Sequence, residues 1–174
     1  MAMLRITMRE AAGYFAPDGP LAEQLRSAAL DGLYSAALRA KHDIVVKEIP
    51  NKMPRPIDRG IYRAGWQVER LSTGAAVYNP VPHAAMIEYG VPAANVVISR
   101  KAILAIAEWA HRKLGIRAGA EAMRVATAIM HALKRRGIFA RGKGLRVMED
   151  YARNTLPAII RQEVAREVAK VARK

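Results

Sequence analysis

Cysteine is absent from this 174-residue chain, which removes disulfides, thiolate nucleophiles and every zinc site that needs a Cys ligand, and fits folding in a reducing compartment. Aromatic residues are scarce, at 6%, although 52% of the chain is hydrophobic. The apolar content therefore rests on Ala, Val, Ile, Leu and Met, a composition suited to closely packed helices. No apolar run approaches the roughly 18 residues of a membrane-spanning helix, and Met1-Ala2-Met3-Leu4-Arg5 lacks the apolar core of a signal peptide. A soluble protein without membrane contact is expected. Carboxylates are also few, 15 against 29 Lys and Arg, for a net charge of +14 and a pI near 10.6. Such a field attracts nucleic acid, acidic protein faces or anionic lipid, and selects none of them. At this length a single domain, residues 1–174, is the expectation.

What is present reads mostly as helix. Leu4, Ile6 and Met8 alternate with Arg5, Thr7 and Arg9, the period of a half-exposed strand. Asp18-Gly19-Pro20 then starts a helix to about His42, whose Leu21, Leu25, Ala28, Gly32 and Ala36 share one face. The small residues in its second half allow another backbone to approach closely. Three prolines between Ile49 and Ile57 predict a loop. Trp66 to Asn79 reads as a hairpin turning at Ser72-Thr73-Gly74, and a short helix from about Pro82 to Tyr89 should stop at Gly90. Ser99 can cap a helix with Ile103, Ile106, Ala107, Ala110 and Leu114 on one face. Ala122, Val125, Ala126, Ile129 and Leu133 predict another, ending in Lys134-Arg135-Arg136 before Gly137, where the helix dipole favours cations. A loop over Ile138 to Gly144 leads through residues 145–151 into a final helix from about Leu156. That helix should bury Ile160, Val164, Val168 and Val171, while its other face, with Arg161, Arg166, Lys170 and Arg173 partly offset by Glu163 and Glu167, has the pattern of a solvated or partner-facing surface.

Catalytic and metal-binding patterns are missing. His42, His83, His111 and His131 are far apart, and none has His-Glu-x-x-His spacing. There is no Gly-x-Ser-x-Gly elbow. The stretch from Gly137 to Gly144 has only a superficial likeness to a phosphate loop, because Gly144, not Ser or Thr, follows Lys143 and a helix precedes it. No cofactor, metal or catalytic residue is assigned, and the chain is expected not to be an enzyme. The run from Lys134 to Arg146 could hold phosphates by charge, but Phe139 is its only candidate for base stacking. Lys52, Arg55, Lys134, Arg135, Arg136, Arg141, Lys143 and Arg146 are the candidate interface or DNA-facing cations.

Residues 56–90 carry a more specific pattern. They run Pro56-Ile57-Asp58-Arg59-Gly60-Ile61-Tyr62-Arg63-Ala64-Gly65-Trp66, then, across the hairpin, Asn79-Pro80-Val81-Pro82-His83-Ala84-Ala85-Met86-Ile87-Glu88-Tyr89-Gly90. This resembles the phage neck family, also known as minor tail or tail-completion proteins of long-tailed phages. Its signature is Pro-Val-Asp-Thr-Gly-x-Leu-Arg-x-Ser after a long helix, a hairpin, then Asn-x-x-x-Tyr-Ala-x-x-Val-Glu-x-Gly. Pro56, Asp58, Gly60, Arg63, Asn79, Ala84, Ile87, Glu88 and Gly90 match in order and at similar spacing, whereas Arg59, Tyr62, His83 and Val91 depart from it. The residues also suggest roles of their own. Gly60 suits a turn, Asp58 can cap a short helix, and Asn79 can hold the loop before Pro80. Glu88 is expected to pair with a cation such as Arg63. The structural motif is thus Pro56, Asp58, Gly60, Arg63, Trp66, Asn79, His83, Ala84, Glu88 and Gly90.

The fold expected is α+β, a small antiparallel sheet packed on a long N-terminal helix, with residues 1–91 as core and 92–174 as a mostly helical extension. The resemblance implies a structural virion protein that assembles as a homo-oligomeric ring at the head-tail junction, after folding in the host cytoplasm. Its neighbours would be head connector or stopper and tail terminator or tail tube proteins, with packaged DNA contacted non-specifically. The alternative is a basic DNA-binding or DNA-packaging accessory protein.

Overall fold

Two features of the chain organise the fold: a long helix with a stripe of small residues, and a hairpin too short to be stable alone. The computed structural model describes residues 2–7, 20–52, 60–139 and 142–173. Strand β1 (Ala2–Thr7) is followed by helix α1 (Pro20–Asp43), a π-turn over Ile44–Glu48, and helical turns α2 (Ile49–Asn51) and α3 (Ile61–Ala64). Strands β2 (Gln67–Leu71) and β3 (Gly74–Asn79) form the hairpin, and α4 (Ala84–Tyr89) follows it. A 3-10 turn at Ala93–Asn95 precedes α5 (Arg100–Leu114), α6 (Ala120–Arg136), α7 (Val147–Asn154) and α8 (Leu156–Val171). The α+β expectation is met. The sheet is antiparallel with order β1-β3-β2, so the hairpin gains a third strand from the start of the chain. Met8, placed in that strand by its alternation, lies outside the described residues.

Pro50 does not end the first helix. The turn widens at Ile44–Glu48, Ile49 N–H donates to Ile44 O, and α2 resumes with Pro50 in its first turn. A missing N–H is tolerated there, and the wider turn relieves the clash of the ring with the preceding carbonyls. Helix therefore covers the beginning of the segment expected to be a loop, while residues 53–57 lie outside the described part.

The chain divides into two compact units, residues 1–88 with 146–174, and residues 89–145. This differs from a core to residue 91 with one helical extension. The last two helices instead complete the first unit, because the small face of α1 needs a cover and α8 supplies it. Arg39 meets Glu163, Gly32 lies against Val164, and Gln24 and Ala28 share a groove with Lys170 and Val171, so the two helices run antiparallel. A Cβ on Gly32 would sit 2.5 Å from Val164 Cα. Ala28, Ala29, Leu33, Ala36, Ala37 and Ala40 are all buried on α1. β3 also packs on this helix, and its Ala75-Ala76-Val77 are buried. Arg70 on β2 reaches Asp31 at 2.5 Å and lies over the Tyr34 ring, 5.7 Å from its centroid. Large side chains fill the rest of the core, with Trp66, Tyr62, Tyr151, Ile44 and Ile49 almost wholly buried. Each contributes about 2 kcal/mol of hydrophobic stabilisation.

On α8 the fully buried positions are Leu156, Ile159 and Glu163, while Ile160, Val164, Val168 and Val171 are half-buried. Glu163, expected on the solvated or partner-facing side, is instead packed within the first unit, 5% exposed. Its Oε1 lies 3.2 Å from Arg39 and its Oε2 2.7 Å from Arg166, and this pairing permits its burial.

The second unit is a helical hairpin. Ser99 Oγ accepts from Ala102 N at 3.2 Å and opens α5. Ala107, Ala122 and Ala126 form its core, flanked by Ile103, Ile106, Ile116 and Met123. Val91 and Ile138 pair through two backbone hydrogen bonds, of 3.1 and 2.9 Å, before α5 and after α6. Among the described residues no helix is long and apolar enough to cross a membrane.

Gly32→Ala tests the α1–α8 contact. Alanine improves helix propensity by about 1 kcal/mol, yet the clash with the Val164 backbone should leave a net loss of about 1–3 kcal/mol. Urea denaturation should show a lower midpoint with unchanged slope; a midpoint equal to or above that of the parent refutes the close packing.

Candidate functional site: a buried carboxylate junction

The buried carboxylate of residues 60–90 is Glu88, which is 1% exposed. α4 is only six residues long, so its last turn can deliver Glu88 inward while Gly90 turns the chain away at φ 71°. A side chain at Gly90 would strike the backbone of Gly142. Gly60, at φ 74°, precedes α3 in the same left-handed conformation, which glycine adopts without strain. α3 then turns Tyr62 into the core. The Tyr62 O–H donates to Glu88 Oε1, and Met148 N–H donates to Glu88 Oε2 at 3.1 Å. Arg146 N–H donates to the Glu88 carbonyl at 3.0 Å.

The contact with Met148 is a helix cap supplied from another element. Arg146 stands at the N-cap of α7 with φ 49°, and its own side chain makes no cap bond. The Glu88 carboxylate satisfies one of the N–H groups left open there. Asn79 works in parallel. Its Nδ2 donates to Tyr62 O at 2.8 Å and its Oδ1 accepts from Val81 N at 3.1 Å, tying the end of β3 to α3. The role foreseen for Asn79 before Pro80 is observed. Gly65 makes this possible, since a Cβ there would lie 2.6 Å from Asn79 Oδ1. Trp66 stacks edge-on against Tyr62, with centroids 5.8 Å apart and planes at 73°.

The electrostatics follow from this enclosure. Burial raises the Glu88 carboxyl above its ordinary value of 4.5, more than the Tyr62 and Met148 hydrogen bonds and nearby Lys52 lower it. Burial and the neighbouring Glu88 push the Tyr62 phenol well above its usual range, so it remains a proton donor. A second buried pair lies on the same unit, where Tyr151 O–H donates to Asp43 Oδ2 at 3.0 Å and Lys47 lies 2.7 Å from Asp43 Oδ1. Burial opposes ionisation of Asp43, but Lys47, Tyr151 and Arg39 together hold its carboxyl below 3.8. Tyr151 is raised by burial and by Asp43.

Several site expectations need correction. Arg63 does not pair with Glu88: its Nε donates to Val45 O at 2.9 Å, capturing a carbonyl of the π-turn. The short helix leaves Tyr62, not Arg63, facing the carboxylate. Ala84 is buried, and His83 is half-buried with its carbonyl accepting from Ile87 N. Pro56, Asp58, Arg55 and Arg141 lie outside the described residues. Of the candidate interface cations, Lys52 is half-buried and paired with Asp150. Lys134 Nζ donates to Ala94 O at 3.1 Å, and Arg146 lies 3.3 Å from Glu149. Arg135, Arg136 and Lys143 are exposed.

Tyr62, Gly65, Met148, Asp43 and Tyr151 were not foreseen. Tyr62 alone had a sequence signal, as an aromatic where the family pattern has Leu. Among the described residues no three His, Asp or Glu side chains are placed to hold a metal ion. Comparison with protein-family models, curated proteins and solved structures gives no match to this chain. The resemblance therefore rests on its motif residues.

Glu88→Ala leaves Tyr62 O–H and Met148 N–H buried without acceptors and should cost about 2–4 kcal/mol in chemical denaturation. The pH dependence carries a definite sign. Because the folded-state pKa of Glu88 is raised, its ionisation lowers stability as pH rises through that value, and the contribution is fully present below 4.5. The stability of the parent relative to Glu88→Gln should accordingly increase as pH falls toward 4.5. A flat difference between pH 4.5 and 8 refutes the assignment.

Proposed function

We propose that the chain is a structural subunit of a phage neck, acting by binding and without catalysis. The observation that carries this reading is the ordered match of Gly60, Arg63, Asn79, Ala84, Ile87, Glu88 and Gly90 to the neck-family pattern. Its support in the fold is that these residues build a junction. Glu88, Asn79 and Arg63 hold helix ends and strand ends together, as a rigid subunit requires, with their polar groups directed at the protein itself. In this reading copies close into a ring at the head-tail junction of the virion, between a head connector or stopper and a tail terminator or tail tube. Assembly takes place in the host cytoplasm.

The charge of the chain favours a second reading, a DNA-binding or DNA-packaging accessory protein. The two separate by particle morphology. Phage production without this chain should yield filled heads and complete tails that remain unjoined under the electron microscope, with infectious titre restored when the chain is supplied. Joined, infectious particles in its absence overturn the neck reading. Empty heads beside normal tails favour the packaging role.

A further inference from the structure

The excess positive charge is not spread evenly. Residues 89–145 contain eleven Lys and Arg against two carboxylates, Glu108 and Glu121, a net +9 of the total +14. The other unit carries eighteen cations and thirteen acids, a net +5. Its described carboxylates include the buried Glu88, Asp43 and Glu163 and the ion-paired Asp31, Asp150 and Glu167.

Folding of the hairpin does not explain this placement. Lys134, Arg135 and Arg136 at the end of α6 suit the helix dipole, but Arg100 and Lys101 occupy the first turn of α5, where the dipole disfavours cations. α5 and α6 run antiparallel, as His111 with Gly119 and Ala107 with Ala122 line the same groove. The start of α5 and the end of α6 therefore lie at one end of the hairpin, and these five cations gather there against their mutual repulsion. Along α6, Arg124, Ala128, His131 and Arg135 recur at i, i+4, i+7 and i+11, all exposed, forming a stripe about 16 Å long. Arg100, Lys101, Arg124, Arg135 and Arg136 make no ion pair among the described residues.

We propose that the α5–α6 hairpin is a binding surface for the phosphate backbone of duplex DNA. Protein partners are normally gripped by an apolar, aromatic-rich centre inside a polar rim, whereas the α6 stripe carries only Ala128 and His131 between Arg124 and Arg135. Arg124 and Arg135 along α6, joined by Arg136, Arg100 and Lys101 at the end of the hairpin, offer spaced cations that match the spaced charges of a phosphate backbone. Sequence-specific reading is not part of the interaction. Asn95 is the sole Asn of the segment and Gln is absent, so the bidentate amide contacts to adenine have no source beyond it. The inference rests on charge placement and is independent of the neck assignment.

Fluorescence anisotropy with the full chain and a duplex of mixed sequence tests it. Arg124→Gln, Arg135→Gln and Arg136→Gln combined should weaken binding at about 50 mM salt by about tenfold or more, and flatten the plot of log affinity against log salt by about three units. Arg26→Gln, Arg161→Gln and Arg173→Gln combined, three exposed cations of the other unit, remove the same charge and should change affinity less than about threefold. Circular dichroism melting verifies that both triples fold. Equal losses from the two triples overturn the proposal, because the attraction is then a diffuse field. Displacement of the duplex by poly-glutamate at equal charge overturns it in favour of an acidic protein partner. Failure here leaves particle morphology untouched, so the two proposals fail separately.

Discussion

The Glu88 carboxylate is the contact on which the first unit most depends. Its two oxygens are used by two different elements, the Tyr62 hydroxyl of α3 and the Met148 amide of α7, and its carbonyl takes the Arg146 amide. An ionisable group in this position is costly, since burial works against its charge, and its partners must be held in place for that cost to be offset. Asn79 holds the backbone of Tyr62, Gly65 leaves room for Asn79, and Arg63 fastens α3 to the π-turn after α1. Removing Glu88 or Asn79 leaves buried partners in these contacts unpaired.

Much of the scaffold was legible because it obeys local rules. The α1, α5 and α6 helices follow apolar periodicity with caps at Ser99 and Gly137, and the hairpin turns at Ser72-Thr73, with Gly74 already in β3. The small face of α1 announced a close neighbour, though not which one. That α8 is the neighbour depends on a contact between Gly32 and Val164, and sequence periodicity carries no information about such distant pairings. The same limit applies to the junction. Glu88 stood out as a carboxylate in a motif, but its partners are a phenol from α3 and a backbone amide from α7, and backbone amides leave no mark in a sequence. Arg63 was the chemically obvious partner and went to a carbonyl instead, because α3 is a single turn and presents adjacent residues in different directions. The helical reach past Pro50 was hidden for another reason: a π-turn absorbs a proline that regular helix would reject.

The two units divide the chemistry of the chain. In the first, Glu88, Asp43 and Glu163 are buried and Asp31, Asp150 and Glu167 are ion-paired, so that these carboxylates serve the fold. In the second, eleven cations against two carboxylates surround a core of alanines and a few larger apolar residues. The proposed neck role draws on the first unit, and the proposed DNA-binding surface on the second. The mean properties of the whole chain concealed this contrast, since a net charge has no position.

The pairing of Arg146 with Glu88, and of Ile138 with Val91 a few residues further along, bears on how the chain gets its shape. Closing a long excursion between α4 and α7 costs conformational entropy that grows with the logarithm of its length. Here the excursion is itself a helical hairpin whose flanking segments meet again at Val91 and Ile138. Once α5 and α6 zip together, only a few residues separate that meeting point from either side of Glu88. The last two helices are thereby returned to α1 as if joined by a short tether, and a topologically distant pairing becomes a nearly local one.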